Sequence, residues 1–587
     1  MACSYFPRPV DRAVRNALER RERGILVGVR GSGVSTTVKR MASIAGVKVG
    51  PSDCREYGVV EVEMSRLAEA AKCNWFVAAT GTLEEVLRAV SQLDAWVMPP
   101  MSTGELEDFL STFGQRAEPM VLEALLYKTG GFPGAVCKAL EELNYPGRIT
   151  RAHVEKLSVE PTWFIEFVNK YGKPFLKGAV LATLSIEDAK TLGVEKGLWF
   201  EERGGRLYLR LPWLQFFAVY YDPAYAREVL REAVKVVKEG ATLLQYYALL
   251  WRLGEEEYVE ESAKYVDLLY NLPPPHAVEL AKYFLEVESR VGEEVAAKAL
   301  HALSIALQSL DAKPEDVIKL AQKAASYAPR RQAYDAIYHL GIWLMSRGLF
   351  REAEAVIATA EDLLFKAKND EEWVRAKRVL HLLLAYRESL LGNWREVRRL
   401  LEDEMATLPH LSDYEDLIKK GLAWAYIMLG QFHDAKALLK GDRGFYKWAY
   451  ALLRAKDLGR VRQGALRSGQ MLIAALAGLA MGLDVGKELE QLDIRPELRE
   501  LLEIVANPDY KRLAAVSARI SPTDKLVLYL YAVEAYVMWK LGMAKREEVE
   551  SFLERVREAV EQAGIPGASR YVKPNRKALA RLAIFFL

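Results

Sequence analysis

Apolar residues in the first hundred positions fall into short runs separated by segments of helical period. Ile25–Val29, Val59–Val62, Trp75–Ala79 and Ala95–Met98 each have the length and content of a strand. Val47–Val49 predicts a further short one. Val34–Ala45 repeats its apolar positions with helical spacing. Strands alternating with helices predict a parallel sheet with helical crossovers. Pro99 and Pro100 stop the last run. From Ser102 onward the strand signals cease, and Thr103–Gly114, Glu118–Gly130 and Ala135–Leu143 read as helices. A small helical unit after a parallel sheet has the character of a lid.

Positions 160–222 change again. Helical stretches at Thr162–Lys170, Pro174–Leu184 and Ile186–Leu192 precede Leu198–Leu211, where two β-rich runs flank Gly204-Gly205. Paired glycines between such runs mark a hairpin. Helices followed by a hairpin make a winged-helix pattern.

From Asp222 to the end the pattern is helical, with short joints and an irregular repeat. Met345-Ser346-Arg347-Gly348 precedes Phe350 and Ala353. Ser389-Leu390-Leu391-Gly392 precedes Trp394 and Val397, and Ile427-Met428-Leu429-Gly430 precedes Phe432 and Ala435. These glycines stand 44 and 38 residues apart. Trp251–Gly254 and Trp539–Gly542 carry weaker copies. Each unit is a helix, a glycine turn, an aromatic wedge and a second helix with a small residue. This resembles diverged tetratricopeptide-type repeats, which stack because one pair cannot bury its own faces.

Composition narrows the classes. At 587 residues, 51% hydrophobic and 27% charged, the chain has the makeup of several globular units rather than a disordered or fibrous one. Its 81 Lys+Arg against 79 Asp+Glu give a net charge of +2, so no global field draws it to nucleic acid or membrane. Cys3, Cys54, Cys73 and Cys137 form no CxxC pair, and the seven histidines have no metal-ligand spacing, so no metal site is expected. Asn and Gln together number 21, a thermophile-like economy of labile amides, in which an intracellular disulfide fits. Met1–Pro9 has no signal-peptide core, and the apolar run Met471–Leu483 is shorter than the roughly 20 residues of a membrane span. A cytoplasmic protein without membrane contact is expected.

The stretch with most chemistry is Gly28-Val29-Arg30-Gly31-Ser32-Gly33-Val34-Ser35, which leaves a strand and opens a helix. A P-loop reads G-x-x-x-x-G-K-[ST] in that setting. Its glycines let amides curl round phosphates at a helix N-terminus. Its lysine offsets β/γ-phosphate charge, and its hydroxyl holds Mg²⁺. Here the glycines and hydroxyl are present, but the lysine position is Val34. The nucleotide-binding candidates are therefore Gly28, Arg30, Gly31, Ser32, Gly33, Ser35 and Thr36. ATP or ADP with Mg²⁺ is the only cofactor this loop suggests.

Residues 1–150 resemble the archaeal AAA+-related ATPase/STAND group of P-loop NTPases. The opening Phe6-Pro7-Arg8-Pro9-Val10-Asp11 resembles that group's F-G-R-x-x-E start, and Val27–Thr37 resembles its P-loop without the lysine. Gly130-Gly131-Phe132-Pro133 resembles its lid motif, and this adds Pro133 to the nucleotide set. The resemblance implies a Walker B strand, for which Val59-Val60-Glu61-Val62-Glu63 is the candidate. On a strand Glu61 and Glu63 share one face, as a Mg²⁺-facing pair or as a solvated one. Thr80 takes the place of a polar sensor residue, and Thr80-Gly81-Thr82 is equally a helix cap. Arg30 and Lys39 are the cations near the missing lysine. No catalytic residue is assigned, and hydrolysis is not expected.

The expected architecture is multidomain: a degenerate α/β P-loop NTPase-like domain (1–101), a helical lid (102–150), a winged helix (151–222) and an all-α tetratricopeptide-like solenoid (223–587). Basic surfaces offer contacts at Arg203, Arg206 and Arg210 of the wing, Arg460, Arg462 and Arg467, and Lys573, Arg576 and Lys577. Each is also an ordinary solvated surface run. The expected function is a pseudo-ATPase scaffold that binds a protein partner through its repeat groove, with self-association in view. The alternatives are a nucleotide-dependent switch with weak ATPase and a nucleic-acid- or ribosome-associated factor. The apolar terminus Ala583–Leu587 is expected to dock on the last repeat or to contact a second copy.

Overall fold

The computed structural model describes residues 6–51, 53–407, 414–442, 444–492 and 494–587. Cys3 lies outside them. The chain divides into two compact units, Met1–Leu268 and Leu269–Leu587.

The first unit opens with helix α1 (Pro9–Glu19), strand β1 (Gly24–Val29), helix α2 (Val34–Ile44), strand β2 (Gly58–Glu63) and the short α3 (Leu67–Ala70). Strand β3 (Trp75–Gly81), α4 (Leu83–Gln92) and β4 (Trp96–Val97) follow. The four strands form one parallel sheet in the order β2-β3-β1-β4. Helical crossovers account for the parallel pairing. The expected strand Val47–Val49 reduces to a single bridge from Val49 to Val59. One sheet face packs α1 and α2 through Val14, Leu18, Leu26, Val34 and Met98. A disulfide joins Cys54 to Cys73, 19 residues apart, and so ties the segment that enters β2 to the segment that enters β3.

Helices α5 (Thr103–Thr112), α6 (Pro119–Lys128) and α7 (Pro133–Glu142) form a separate small core around Phe109, Leu125 and Leu140. Two-residue strands β5 (Arg116–Ala117) and β6 (Arg148–Ile149) tie it together. Ser102 caps α5 in a reciprocal capping box with Glu105. After α8 (Arg151–Glu155) comes α9 (Thr162–Leu181), which breaks at Gly172, where φ is 61°, just before Pro174. The two helices expected from the sequence are thus the two halves of α9.

Strand β7 (Thr183–Ser185), α10 (Ile186–Thr191), β8 (Phe200–Arg203) and β9 (Arg206–Leu209) complete a three-stranded antiparallel sheet in the order β7-β9-β8. Gly204 and Gly205 turn the hairpin, both at positive φ. The helices Pro223–Val236 and Gly240–Arg252 pack on this layer, and the buried Tyr246 hydroxyl donates to the carbonyls of Leu181 and Thr183.

The second unit is helical in its described residues. Its pairs Arg331–Ser346/Phe350–Lys366, Asp370–Leu391/Trp394–Thr407 and Glu415–Met428/Phe432–Leu438 turn at Gly348, Gly392 and Gly430. These glycines have φ of 73°, 80° and 77°. Gly341 allows a close approach, since a Cβ there would lie 2.5 Å from Leu383. The helix Met471–Met481 is buried in a core of this unit. No helix among the described residues is long and apolar enough to cross a membrane. The chain terminus docks inward: Ile584 and Phe585 are buried, and Phe585 and Phe586 pack against Tyr571 and Tyr529.

Candidate functional site

The loop 28–33 sits at the carboxyl end of the central strand β1, where open α/β sheets place their ligands. The register sets Gly28 opposite Thr80, and Thr80 opposite Glu63, in one row across three strands. Gly33 caps α2 in the left-handed region at φ 89°, and Gly31 lies at φ 83°. The first amide to bond inside the helix is Thr37, to the Gly33 carbonyl at 3.0 Å. The amides of Val34, Ser35 and Thr36 therefore remain for an outside acceptor.

Gly28 has a steric reason to be glycine. A Cβ there would meet Ser32 Oγ at 2.3 Å, Val34 Cγ2 at 2.7 Å and Met98 Cβ at 3.2 Å. Ser32 and Val34 thus fold back over the strand end. Val34 is fully buried among Val14, Leu18, Leu26 and Val38, so its side chain belongs to the core. Ser32 is 1% exposed, and its hydroxyl has no hydrogen-bond partner among the described residues. Such a hydroxyl costs energy unless something meets it.

Glu61 and Glu63 both point to solvent, as strand alternation requires. Only Glu61 joins the loop. The Ser35 hydroxyl donates to its Oε1, and the Lys39 ammonium lies 2.7 Å from its Oε2. Lys39 and Ser35, one helical turn apart, hold the Glu61 carboxyl below the usual carboxylate range. The three residues line a cavity of about 240 Å³ walled by Val38, Val59 and Ala78. Mg²⁺ demands near-octahedral oxygen ligands. Ser35 and Glu61 are the right oxygens, but a donor already holds each Glu61 oxygen, and one donor is a cation. The group does not fit Mg²⁺.

The Phe6–Asp11 segment anchors the floor of this site. Arg8 caps α1, its amide bonding Asp11 at 2.6 Å. Its guanidinium donates to the Pro99 carbonyl at 2.7 Å, contacts Met98 Sδ at 3.3 Å and lies 3.6 Å from Glu105. Arg8 therefore ties α1, the exit of β4 and α5 together. The Gly130–Pro133 turn packs on the same exit: Gly131 accepts from Met101 at 2.7 Å, and Pro133 starts α7, partly buried. Arg30 and Thr36 are exposed at the loop surface.

The basic candidates do not converge. Around the β8–β9 hairpin, Arg203 pairs with Glu201 at 2.7 Å, Arg206 pairs with Glu239, and Arg210 donates to the Leu198 carbonyl at 3.1 Å. Arg460 pairs with Asp457 at 3.2 Å and Arg462 with Glu488 at 2.9 Å. Arg576 bonds the carbonyls of Val505 and Ala506. Arg467, Lys573 and Lys577 are exposed and form no ion pair among the described residues.

No protein-family model and no curated protein matches the chain. Among solved structures it is similar to a signal transduction ATPase with numerous domains (STAND) protein with a tetratricopeptide repeat sensor from Pyrococcus horikoshii. The match has 14% identity, covers 96% of each chain and reaches a TM-score of 0.32. At that score the likeness carries neither fold nor activity to this chain, which rest on the geometry above.

Two clusters in the second unit escape sequence reading because their members come from different helices. His381 Nδ1 lies 2.8 Å from Glu404 Oε1 and 3.5 Å from Asp403. Arg378 donates to Glu404 Oε2 at 3.2 Å, and Lys377 lies 2.7 Å from Asp403. Each carboxylate already has its own cation, so the cluster reads as an ion-pair network, buried at Arg378 and Glu404 and open at Asp403. The second is a row of rings. Tyr270 meets His301, His301 stacks on His339 at 5.6 Å, and Tyr338 packs on Tyr414. Burial pushes the His301 imidazole down to about 4 and lowers His339 as well.

Proposed function

We propose that the chain is a STAND-like scaffold in which a P-loop-type module has lost turnover and a helical-repeat array binds a protein partner. The functional division would be the sheet (1–101), the lid (102–150), the wing (151–222) and the repeats (223–587). One observation carries this reading. At the position of the phosphate-binding lysine stands Val34, fully buried in the core between α1, α2 and β1. A side chain held there cannot offset phosphate charge, and the cation that stabilises phosphoryl transfer is missing. The partly exposed ring row from Tyr270 to Tyr414 supports a binding face on the repeats, since aromatic rings dominate protein contacts.

A second reading is a switch that still binds nucleotide. The buried, unpartnered Ser32 hydroxyl and the amides of Val34, Ser35 and Thr36 favour it. Calorimetric titration of nucleotide-stripped protein with ATP and ADP, beside a turnover assay, separates the two. No turnover is expected. Measurable hydrolysis defeats the scaffold reading, while micromolar binding without hydrolysis raises the switch. Nucleic-acid binding is the weakest of the three, because the wing arginines are spent on internal partners.

A further inference from the structure

The Ser35–Glu61–Lys39 group bears on the nucleotide-binding reading and rests on it. We propose that Lys39 takes the place of the divalent cation at Glu61, so that a nucleotide held by the Val34–Thr36 amides is bound without Mg²⁺.

Ser35 and Lys39 are four residues apart on α2 and so share one face. Glu61 faces them from β2, the edge strand of the sheet. Its two oxygens are divided between them: Oε1 takes the Ser35 proton, and Oε2 takes the Lys39 ammonium at 2.7 Å. The pair that would offer oxygens to a cation is thus closed from both sides. Lys39 and Glu61 keep 53% and 44% of their side-chain surface in water, so the pair is not strong. Lys39 acts instead by holding the carboxylate and by repelling a second cation brought to the same oxygen. Mg²⁺ gives up its water reluctantly and needs strict geometry, whereas an ammonium needs neither. Val34 removed one positive charge from the loop, and Lys39 supplies one charge nearby, fixed by the fold rather than by metal.

The test uses the full chain and its Lys39→Met variant, an exposed substitution that leaves the core untouched. A fluorescent ATP analogue is titrated in EDTA and in millimolar Mg²⁺. Separately, Mn²⁺ is titrated into nucleotide-free protein and followed by electron paramagnetic resonance. For the unmodified protein, nucleotide affinity should differ by less than about twofold between the two buffers; in Lys39→Met, Mg²⁺ should tighten it about tenfold. Lys39→Met should also gain a Mn²⁺ site that Lys39→Met/Glu61→Gln loses. A tenfold Mg²⁺ effect on the unmodified protein, or Mn²⁺ binding to it that Glu61→Gln abolishes, overturns the proposal. If no nucleotide binds in either buffer, the switch reading fails and the Mn²⁺ arm decides. A site gained in Lys39→Met supports displacement of the cation, and no gain overturns it.

Discussion

Replacing Val34 by lysine restores the P-loop consensus on paper, and the structure says what it does instead. Val34 is fully buried against Val14, Leu18, Leu26 and Val38, and its Cγ2 fills the space where a Cβ on Gly28 would stand. Withdrawing that side chain from the core costs about 1.5–3 kcal/mol. The lysine stem can run outward beside the exposed Gly31 and Gly33, so its ammonium reaches water and adds little burial penalty. The net loss is therefore about 1.5–3 kcal/mol. On a unit of this size that is a fall in Tm of about 5–10 °C. Val34→Ala, which removes two methyls and adds no charge, should lose about 2 kcal/mol. Urea denaturation followed by circular dichroism reads both, with ATP turnover measured in parallel. The expected result is destabilisation with no turnover in Val34→Lys. A Val34→Lys protein as stable as the parent that hydrolyses ATP would refute the reasoning, because the loop would then be a P-loop lacking only its cation.

Three further outcomes test other parts of the structure. The unfolded chain protonates His301 near pH 6.5 but the folded one only near 4, so this group should leave stability unchanged above pH 6.5 and lower it below by about 1.4 kcal/mol per unit, with His339 adding in the same direction; denaturation at pH 7.5, 6 and 5 should show the fall, and His301→Gln should make it shallower. Cys54→Ser/Cys73→Ser frees a loop of separation 19 and should cost about 3 kcal/mol in oxidising buffer, and an unchanged denaturation midpoint would count against the bond. Glu404→Gln removes the buried carboxylate that faces Arg378 and His381 and should cost about 3–5 kcal/mol, whereas the more exposed Asp403→Asn should cost under about 1 kcal/mol; equal effects would contradict the burial.

What could be read from the sequence was local. Period and punctuation placed β1, α2, β3 and the Gly204-Gly205 hairpin, because each follows from residues near in the chain. The glycine turns at 348, 392 and 430 were legible for the same reason. The two-residue strands β5 and β6 were not, since pairing of Arg116 with Arg148 and Ala117 with Ile149 leaves no run to see. The ion pairs of Arg203, Arg206 and Arg210 were hidden likewise: charge composition shows a basic wing, while Glu201 and Glu239 arrive from the same strand layer and a following helix. Lys39 and Glu61 were each visible, but their meeting depends on α2 lying over the edge strand. The Cys54–Cys73 bond carried no spacing signal and needed the parallel pairing of β2 and β3 to bring their entries together.

This separates the residues that bear on nucleotide from those that do not. Gly28 is demanded by Ser32, Val34 and Met98 whether or not phosphate ever binds, and Gly33 is demanded by the left-handed cap of α2. Their presence therefore says nothing about a ligand, although they carry most of the visible motif. Ser32 differs: a buried hydroxyl with no partner among the described residues has no structural use, and alanine would fill the same space at lower cost. The case for a ligand rests on Ser32 and the amides of Val34, Ser35 and Thr36, and the case against it on the Val34 side chain. Ser32→Ala weighs one against the other. If the loop is only a turn, the variant gains stability and changes nothing else. If it holds phosphate, nucleotide affinity falls by about tenfold, the worth of one good hydrogen bond to a charged group.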